Sequence, residues 1–413
     1  MSSTNYKIND VDLSTLFNSY ISGGLKVTST NYKINGVDLC DILAPFSSGN
    51  ARSNILIKVN NVDISTLFQP YTTWTALGTS SLGGTTPSCT GIAYDSASGY
   101  IYICGTFTSV NDVATNNVAV WNGTAWNALG SIGICNDILF VSSNEIYAGG
   151  LFVTNNRIAR WNGTAWGGMG NGFNNNVIGI ARDNSGRIYA GGVFTRPAGG
   201  TSGEYNRIAM WNGTAWNRIP FGSSFGQNGF NANCQSLAYN STNGYLYFGG
   251  GLTGFYNKSA TLTTCNRVGY YDGTNFQVMG SGVNGTTVYA VEISSNGNVY
   301  IGGDFTVANG NVNCKGVAMW NITNNSWNPL GNGLTGTVQS LKWNNGFLYA
   351  GGSFTTLGDG TTVVNYIAVY NGVEWSVINQ SLNGTVYSIN IGNSNKLLVG
   401  GAFTTPFKGF AVY

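Results

Sequence analysis

Short runs of alternating apolar and polar residues, separated by turn residues, recur along most of this chain. One such pair is clear near the C-terminus, where Val338–Trp343 alternates and Phe347–Ala350 runs into a glycine pair. The residues between them, Asn344–Gly346, favour a tight turn. Period-two alternation on both sides of a turn predicts two antiparallel β-strands, which we call strands a and b.

A second hairpin follows in the same unit after a loop of variable length. Tyr366–Tyr370 and Glu374–Ile378 flank the turn Asn371-Gly372. Asn-Gly between two alternating runs is the strongest short signal of a β-hairpin, because both turn residues must accept a positive φ. These runs predict strands c and d, so each unit is expected to form four antiparallel strands.

The unit is repeated. A Gly-Gly-x-Phe phrase, or its equivalent, ends strand b in seven places, with its second glycine at Gly105, Gly150, Gly192, Gly250, Gly303, Gly352 and Gly401. Successive copies are 42 to 58 residues apart, which overlaps the roughly 40–50 residues of a four-stranded propeller blade. Such units cannot bury an apolar face alone and must stack on their neighbours. The sequence predicts an all-β fold with a seven-bladed β-propeller over residues 71–413.

The ends of the array indicate how the propeller closes. The last unit stops at Phe410–Tyr413, which matches strand c, and no strand d follows it. The missing strand is found before the first unit, where Trp74–Gly78 closely matches the strand-d segment Trp126–Gly130. A last blade that takes its outer strand from the start of the chain closes the ring. An open solenoid is the alternative, but it would need polar capping repeats.

Composition and charge argue against several classes of partner. Charged residues are 8% of the chain, against ~25% in typical soluble domains. The 18 basic and 16 acidic residues leave no basic stripe for nucleic acid. No apolar run approaches membrane-spanning length, and residues 1–20 lack the apolar stretch of a signal peptide. We therefore expect synthesis in the cytosol, with no nucleic-acid partner and no membrane span.

Catalytic side chains are sparse. The chain has no histidine, which removes Ser-His and Cys-His pairs, the commonest zinc ligand and the usual general base. The carboxylates of residues 71–413 fall mostly at different phases of the repeat, so no pair is predicted to converge. A glycoside hydrolase with carboxylates gathered from several blades remains an alternative. The expectation is a protein that is not an enzyme and that binds no metal and no cofactor.

The cysteines are typical of small core residues. Cys89, Cys135 and Cys234 precede the first apolar residue of strand a where other units have valine, and Cys104 replaces an alanine. Free cysteine behaves as a small hydrophobe. A second pair, Cys265 and Cys314, occupies equivalent loop positions in neighbouring units, which leaves a disulfide or metal pair open.

Two further motifs are interpreted as turns. The G-x-G-x-x-G matches at Gly280–Gly285 and Gly331–Gly336 lie between strand d and the next strand a, not between a strand and a helix, so they do not predict a dinucleotide site. Most of the Asn-Gly-Thr sequons coincide with hairpin turns, where Asn-Gly is favoured for backbone reasons. These sequons are at Asn122, Asn162, Asn212, Asn284 and Asn383.

The repeat resembles that of a known group of proteins. The pattern Asn-x-Ile-Ala-x-Trp-Asn-Gly-Thr-x-Trp, followed by Leu-Tyr-Ala-Gly-Gly-x-Phe-Thr, is similar to the propeller repeats of Rax2-like cortical proteins and bacterial surface proteins. These are akin to kelch and galactose-oxidase-like propellers. The resemblance covers residues 71–413 and implies the fold. Galactose oxidase activity is not implied, because its copper-ligating histidines have no counterpart here.

Residues 1–70 hold a different, shorter repeat. Tyr6–Phe17 recurs at Tyr32–Leu43 and Ile57–Phe68. Each copy predicts a short strand, a turn and one helical turn with aspartate as N-cap. Units this small cannot sustain a core, so their apolar residues must pack on each other, on the propeller or on a neighbouring subunit. The predicted assembly residues are Leu13, Leu16, Phe17, Leu39, Ile42, Leu43, Ile64, Leu67 and Phe68.

These short repeats resemble repeats that precede diverse domains in structural proteins of giant DNA viruses. The resemblance implies an assembly or anchoring arm over residues 1–70, with the propeller of residues 71–413 displayed outward. The alternative is a folded N-terminal cap without a partner. The partners implied are further copies of this chain, as a homo-oligomer or filament, or other virion proteins.

If the propeller binds a ligand, loop length predicts the face. Strand order places the b–c loops and the d–a connections on one rim, and the b–c loops differ in length: Ile158 follows Phe152 by 6 positions, whereas Val268 follows Leu252 by 16. Insertions gathered on one face commonly mark a binding face. The longer loops offer candidates for contact with a glycan or a protein, namely Arg196, Glu204, Tyr205, Phe255, Tyr256 and Lys258.

Together these patterns predict a non-enzymatic structural protein, displayed on a virion surface or fibre and assembled in the host cytoplasm through the N-terminal repeats. A glycan- or protein-binding attachment module is the alternative function. An extracellular or cell-surface position reached by a non-classical route is the alternative location.

Overall fold

The described part of the chain is an all-β fold, as predicted, in this computed structural model. Besides strands it contains two short 3₁₀ turns, Thr154–Arg157 and Asn393–Asn395. The structure describes residues 73–78, 81–201, 203–220, 223, 226, 228–258, 261–310, 312–378 and 382–413, together with three short strand pairs within residues 1–70.

Seven antiparallel sheets repeat the predicted order of strands a to d, and we number them sheets 1 to 7 along the chain. Strands a are Cys89–Tyr94, Cys135–Ser142, Val177–Arg182, Cys234–Asn240, Val288–Ile293, Val338–Asn344 and Val386–Ile391. Strands b are Ile101–Gly105, Glu145–Gly150, Ile188–Gly192, Tyr245–Gly250, Val299–Gly303, Phe347–Gly352 and Leu397–Gly401. Strands c are Val118–Trp121, Ile158–Trp161, Ile208–Trp211, Val268–Tyr271, Val317–Asn321, Ile367–Tyr370 and Phe410–Val412. Strands d, in sheets 1 to 6, are Trp126–Ala128, Trp166–Gly168, Trp216–Asn217, Phe276–Val278, Ser326–Pro329 and Trp375–Val377.

Additional short strands occur in the b–c loops and in the connections between sheets. The b–c loops of sheets 1, 4 and 5 each contain a small hairpin, and two further strands join a b–c loop to the connection that precedes its sheet. The hairpins are Ser109–Val110 with Val113–Ala114, Gly254–Tyr256 with Leu262–Thr264, and Val307–Ala308 with Val312–Asn313. The joining strands are Leu82–Gly83, paired with Ser109–Val110, and Leu334–Thr335, paired with Thr356–Leu357.

Neighbouring atoms lie so close to the glycine pair at the end of strand b that a side chain would not fit at either position. In sheet 3 the register with strand a shifts beside Gly191 and Gly192. A Cβ on Gly192 would lie 2.1 Å from the backbone oxygen of Asn176, and a Cβ on Gly191 would lie 2.7 Å from Sγ of Cys234 in sheet 4. The second glycine therefore lets strand b meet its own strand a, and the first lets the next sheet pack against it.

The sheets are arranged in a closed ring. Strand a of each sheet packs on strand a of the next, and strand a of sheet 7 packs on strand a of sheet 1. The apolar core lies between neighbouring sheets. At the last junction, Cys89 and Phe107 of sheet 1 are in one buried cluster with Leu398 and Phe410 of sheet 7. Each sheet thus supplies half of two interfaces, which is why a single unit could not fold alone.

The start of the described propeller completes sheet 7. The N–H of Thr75 donates to the carbonyl of Val412 at 2.6 Å, and the N–H of Val412 donates back at 3.1 Å. The Trp74 side chain is buried in the cluster between sheets 6 and 7. The carbonyl of Leu77 accepts the indole N–H of Trp126 in sheet 1 at 2.8 Å. The predicted closure by the N-terminal strand is confirmed.

Residues 1–70 show the same two-stranded ladder in each of the three repeats. Lys7–Ile8 pairs with Val11–Asp12, Lys33–Ile34 with Val37–Asp38, and Lys58–Val59 with Val62–Asp63. The predicted short strand of each copy is therefore present. The helical turns predicted after these ladders lie outside the described residues, and the boundary at residue 70 stays a prediction.

The described residues include no helix that is both long and apolar enough to cross a membrane.

Candidate functional site

Strand a of every sheet faces a cavity of about 390 Å³ at the centre of the ring. Its wall consists mainly of amide and hydroxyl side chains, and Asp137 is the one carboxylate among the described lining residues. The second position of strand a contributes Thr90, Asn136, Ile178, Gln235, Tyr289, Gln339 and Tyr387. Because equivalent positions of all seven strands a meet at the centre, a closed ring gathers side chains that are far apart in the sequence.

The third position of strand a ties neighbouring sheets together. In three sheets its side-chain oxygen accepts a backbone N–H from strand a of the next sheet. The bonds run from the N–H of Ile180 to Asp137 Oδ2 at 2.8 Å, from Val291 to Ser236 Oγ at 3.0 Å, and from Ile389 to Ser340 Oγ at 3.0 Å. These bonds satisfy N–H groups that lie beside the β-bulge of each strand a.

Asp137 is the one ionisable member of this set. Burial raises the pKa of its carboxyl from 3.8 to about 6, although hydrogen bonds from the N–H groups of Ile180 and Ile138 act to lower it. Both oxygens are engaged, since Oδ1 accepts the N–H of Ile138 at 2.9 Å. The carboxyl therefore acts as a link between sheets 2 and 3 and has no second carboxyl beside it in the cavity wall.

Two other carboxylates of the propeller, Asp183 and Glu292, are held by hydrogen bonds to protein groups. Asp183 is buried, with its Oδ2 accepting the Nε–H of Arg187 at 2.5 Å and the hydroxyl of Tyr189 at 3.1 Å. Glu292 accepts the backbone N–H of Trp343 in the next sheet at 3.0 Å. No group of three or more cysteine, aspartate or glutamate side chains that could hold a metal ion occurs in the described ranges.

The candidate contact residues on the long loops do not share one environment. Arg196 and Lys258 are exposed, and Glu204 and Tyr256 are half-buried. These four remain candidates for ligand contact. The structure places them on the b–c loops of two adjacent sheets, 3 and 4, where the sequence analysis expected the longest insertions.

Tyr205 and Phe255 are core residues, which corrects the expectation that they are offered to a ligand. Tyr205 is 8% exposed, and its hydroxyl donates to the carbonyl of Trp216 at 3.0 Å. Phe255 is 1% exposed and lies 5.5 Å from Phe276, measured between ring centroids. Long loops need anchors of their own, and these aromatic rings supply them.

The same loops are joined to the connection between sheets 3 and 4. The N–H of Gly226 donates to the carbonyl of Gly203 at 3.1 Å, and the N–H of Tyr256 donates to the carbonyl of Gly229 at 2.9 Å. The N–H of Asn206 donates to Asn228 Oδ1 at 3.1 Å. Residues 203–206, 226, 228–229 and 254–258 are therefore joined by hydrogen bonds into one surface.

The threonine of the Gly-Gly-x-Phe-Thr phrase binds an asparagine in the connection before strand a, a contact that was not predicted from the sequence. We call this contact the asparagine clasp. In the connection before strand a, an asparagine Oδ1 accepts two successive N–H groups of the b–c loop. Its Nδ2 donates to the hydroxyl that follows the buried phenylalanine position. The pairs are Asn174 with Thr195, Asn231 with Thr253, Asn284 with Thr306, and Asn383 with Thr404. Their constant separation of 21 or 22 residues was the available signal.

The sequon asparagines have two structural roles. Asn122, Asn162 and Asn212 lie in c–d turns, where each Oδ1 accepts the N–H groups two and three residues later. Asn284 and Asn383 belong to the clasps and use their side-chain nitrogen there. Both roles support interpreting these sequons as backbone chemistry, as the sequence analysis did.

The cysteine interpretation is confirmed for the described residues. Cys89, Cys104, Cys135 and Cys234 are buried in the clusters between sheets, as are Cys265 and Cys314. All six are free thiols. The disulfide left open between Cys265 and Cys314 is absent: Cys265 Sγ donates to the carbonyl of Val268, and Cys314 Sγ to that of Val312.

The predicted assembly residues of the N-terminal repeats lie outside the described residues. These are Leu13, Leu16, Phe17, Leu39, Ile42, Leu43, Ile64, Leu67 and Phe68.

Comparison with known proteins supports the propeller assignment. Residues 278–373 match the Rax2 C-terminal beta propeller domain. Polarized growth protein L1 of Phoma sp. is 33% identical over 113 residues, and polarized growth protein rax2 of Schizosaccharomyces pombe is 34% identical over 113 residues. These alignments cover 26% of this chain and 8% and 9% of the relatives. The matched part therefore spans less than a tenth of each relative's length.

Solved structures agree at the level of the fold. The extracellular domain of the hybrid two-component system BT4673 from B. thetaiotaomicron superposes with a TM-score of 0.55 at 13% identity, covering 83% of this chain and 40% of that one. The RRP9 WD40 repeats superpose with a TM-score of 0.52 at 12% identity, covering 80% of this chain and 95% of that one. The predicted resemblance is thus confirmed: the chain is a β-propeller protein whose residues 278–373 match the Rax2 C-terminal propeller domain.

Proposed function

We propose that this protein is a non-catalytic structural protein, in which the N-terminal repeats hold a rigid β-propeller on a larger assembly. The observation that carries the proposal is the closure of the ring. The chain enters the propeller through Trp74–Gly78 at the outer edge of sheet 7, and Thr75 exchanges two hydrogen bonds with Val412 there. The N-terminal repeats precede this segment in the sequence, so they are connected to the strand that closes the ring.

The distribution of charge supports a structural role. The chain has no histidine, and Asp137, Asp183 and Glu292 hold sheets or strands together through hydrogen bonds and ion pairs. A general acid or base needs a titratable group within reach of a bound substrate, and these carboxylates are occupied by the fold itself. We infer that the propeller acts as a rigid scaffold and not as a catalyst.

The larger assembly is proposed to be a virion surface or fibre, built in the host cytoplasm, because the N-terminal repeats resemble those of giant DNA virus structural proteins. The names of the matching relatives supply a second setting, since both are called polarized growth proteins. In that setting the same scaffold would be held at a cell surface. Both settings require that residues 1–70 bind a partner.

Self-association through the repeats can be tested on the full chain. Light scattering should give a defined oligomer or filament for the unmodified chain and a monomer for the triple variant Leu16→Asp, Ile42→Asp and Leu67→Asp. A charge at a buried apolar contact is strongly unfavourable. The matched control is Val373→Asp in the propeller, where the side chain is 79% exposed, and it should keep the oligomer. A monomeric unmodified chain would contradict self-assembly.

An attachment module is the second candidate function, favoured by the bonded loop surface of sheets 3 and 4. The two b–c loops that take part in this surface also carry the exposed cations Arg196 and Lys258 and the half-buried Tyr256. Binding to a glycan array or to a partner protein should be lost in the double variant Arg196→Ala and Lys258→Ala. Arg182→Ala is the control, because Arg182 is also exposed but ends strand a on the opposite rim. Equal binding by all three proteins would exclude this surface.

A further inference from the structure

The polar side chains around the central cavity fall into two groups. On the side of sheets 1 and 2, the second position of strand a is engaged with the neighbouring strand. Thr90 Oγ1 donates to the carbonyl of Cys135 at 2.7 Å. Asn136 Nδ2 donates to the carbonyl of Val177 at 2.8 Å and to Asn176 Oδ1 at 2.6 Å. These groups stabilise the ring and have little capacity left for a ligand.

On the side of sheets 4 to 7, the same position alternates between amide and phenol. The residues are Gln235, Tyr289, Gln339 and Tyr387, and each is half-buried in the cavity wall. Within the described part of the chain, none of these four side chains has a hydrogen-bond partner, and neither does the Ser388 hydroxyl. Polar groups in folded proteins are satisfied by protein, water or a ligand, so these five side chains are free to bind water or a ligand in the cavity.

We propose that this half of the cavity binds a neutral saccharide. Glutamine amides, phenols and serine hydroxyls can both donate and accept hydrogen bonds, as the hydroxyl groups of a sugar do. The tyrosine rings add apolar faces on which a sugar ring can stack. The alternation of amide and ring over four adjacent sheets places both kinds of contact along one wall.

The charge of the cavity wall and the volume of the cavity restrict the class of ligand further. No lysine, arginine or glutamate is among the described lining residues, and the Asp137 oxygens accept the N–H groups of Ile138 and Ile180. A charged ligand would therefore enter without a counter-charge, which is costly. The volume of about 390 Å³ lies at the lower end of the ~300–1,000 Å³ of small-molecule sites. A single sugar unit or the end of a glycan suits this space.

The test uses the full chain and saturation-transfer NMR. The probes are glucose, galactose, mannose and N-acetylglucosamine, with N-acetylneuraminic acid as the charged comparison and triglycine as the peptide comparison. We expect at least one neutral sugar to bind, and Gln339→Leu or Tyr289→Leu to weaken that binding about tenfold or more, which is the loss of one or two good contacts. Ile178→Val alters the same position in sheet 3 without changing hydrogen-bonding capacity and should bind normally.

A conservative variant separates the site from a folding defect. Tyr289→Phe keeps the ring and removes the hydroxyl, so it should retain the unfolding midpoint of the unmodified chain and bind more weakly than it but more tightly than Tyr289→Leu. Three results would overturn the proposal: no binding of any neutral sugar, binding that is unchanged in Gln339→Leu and Tyr289→Leu, or binding of triglycine or N-acetylneuraminic acid alone.

Discussion

At the scale of single residues, the repeat lets one position be compared in several environments. The third position of strand a is Asp137 in sheet 2, Ser236 in sheet 4 and Ser340 in sheet 6, and in each the side chain accepts a backbone N–H of the next sheet. The aspartate and the serines perform the same structural task. They differ in that burial can penalise the charge of the aspartate but not a hydroxyl.

Asp137 should make the stability of the protein depend on pH. Its pKa is raised from 3.8 to about 6 in the folded protein. Between these two pH values the carboxyl is still protonated in the folded state but ionised in the unfolded chain. Its contribution to stability is therefore fully present below its unfolded pKa and is lost as the pH rises through about 6. Asp137→Ser keeps the acceptor and removes the titration. Urea unfolding at about pH 4 and pH 7 should show a larger fall in unfolding free energy for the unmodified chain than for Asp137→Ser.

Another carboxylate acts in a different pH window. Hydrogen bonds from Thr362 and Thr361 lower the pKa of Asp359 to about 2, so its contribution is lost only as the pH falls below its unfolded value. The difference between the unmodified chain and Asp137→Ser therefore isolates Asp137. The same pH dependence in both proteins would show that the Asp137 carboxyl does not titrate in this range.

The buried thiols should be unreactive in the folded protein. Burial raises the pKa of Cys265 to about 12 and that of Cys314 to about 11, and the thiolate is the reactive form. In a Cys40→Ser variant, which leaves the six described cysteines, a thiol reagent at about pH 8 should modify none in the native state and all six after unfolding in guanidinium. Rapid modification of the folded variant would show that the sheets separate readily.

At the scale of elements, strand d joins each sheet to the preceding one. Its tryptophan donates the indole N–H to a carbonyl at the end of the preceding strand d, as Trp216 does to Met169 at 2.8 Å and Trp375 to Leu330 at 2.8 Å. The Trp-x-x-Leu-Gly phrase of the sequence is thus half of a contact between sheets. In sheet 4, Phe276 fills the position without a donor.

Loss of one indole donor should weaken the ring measurably. Trp375→Phe keeps most of the apolar volume but leaves the Leu330 carbonyl without its partner, so the unfolding free energy should fall by about 1–3 kcal/mol. Trp343→Phe is the matched control, because the Trp343 Nε1 is buried and has no hydrogen-bond partner. That change should be neutral or slightly stabilising. Equal losses in chemical denaturation of the two variants would contradict a role for the hydrogen bond.

At the scale of the whole molecule, the ring is closed because its last sheet is finished by the first strand of the described propeller. The contact joins residues 337 positions apart, Thr75 and Val412. Each sheet covers an apolar face of two neighbours. A ring without this strand would expose the edge of sheet 7, and exposed edges are prone to pair with other chains.

Breaking the closure should therefore destabilise the entire propeller. Thr75→Pro removes the N–H that donates to Val412 at 2.6 Å, and we expect the unfolding free energy to fall by about 1–3 kcal/mol, with a greater tendency to aggregate. Thr73→Pro is the control, since Thr73 is exposed and precedes the paired segment. Thermal unfolding followed by light scattering measures both effects. Equal behaviour of the two variants would mean that the closing strand adds little.

The sequence alone determined the architecture of the propeller. Alternation, Asn-Gly turns and the repeated glycine pair predicted four strands per unit, and Trp74–Gly78 predicted the closure, because these signals are local and occur several times. The burial of the cysteines was predicted by comparing equivalent positions in the repeats. The repeat also predicted the face on which the loops vary.

Only the tertiary structure decided which side chains meet. Gln235, Tyr289, Gln339 and Tyr387 come from four sheets and share one cavity wall because the ring closes. Tyr205 and Phe255 look like surface aromatics in loop sequences, yet the loops fold over them. A local pattern gives the period of burial along a strand, but the environment of a loop or of the ring centre depends on contacts between units that are distant in sequence.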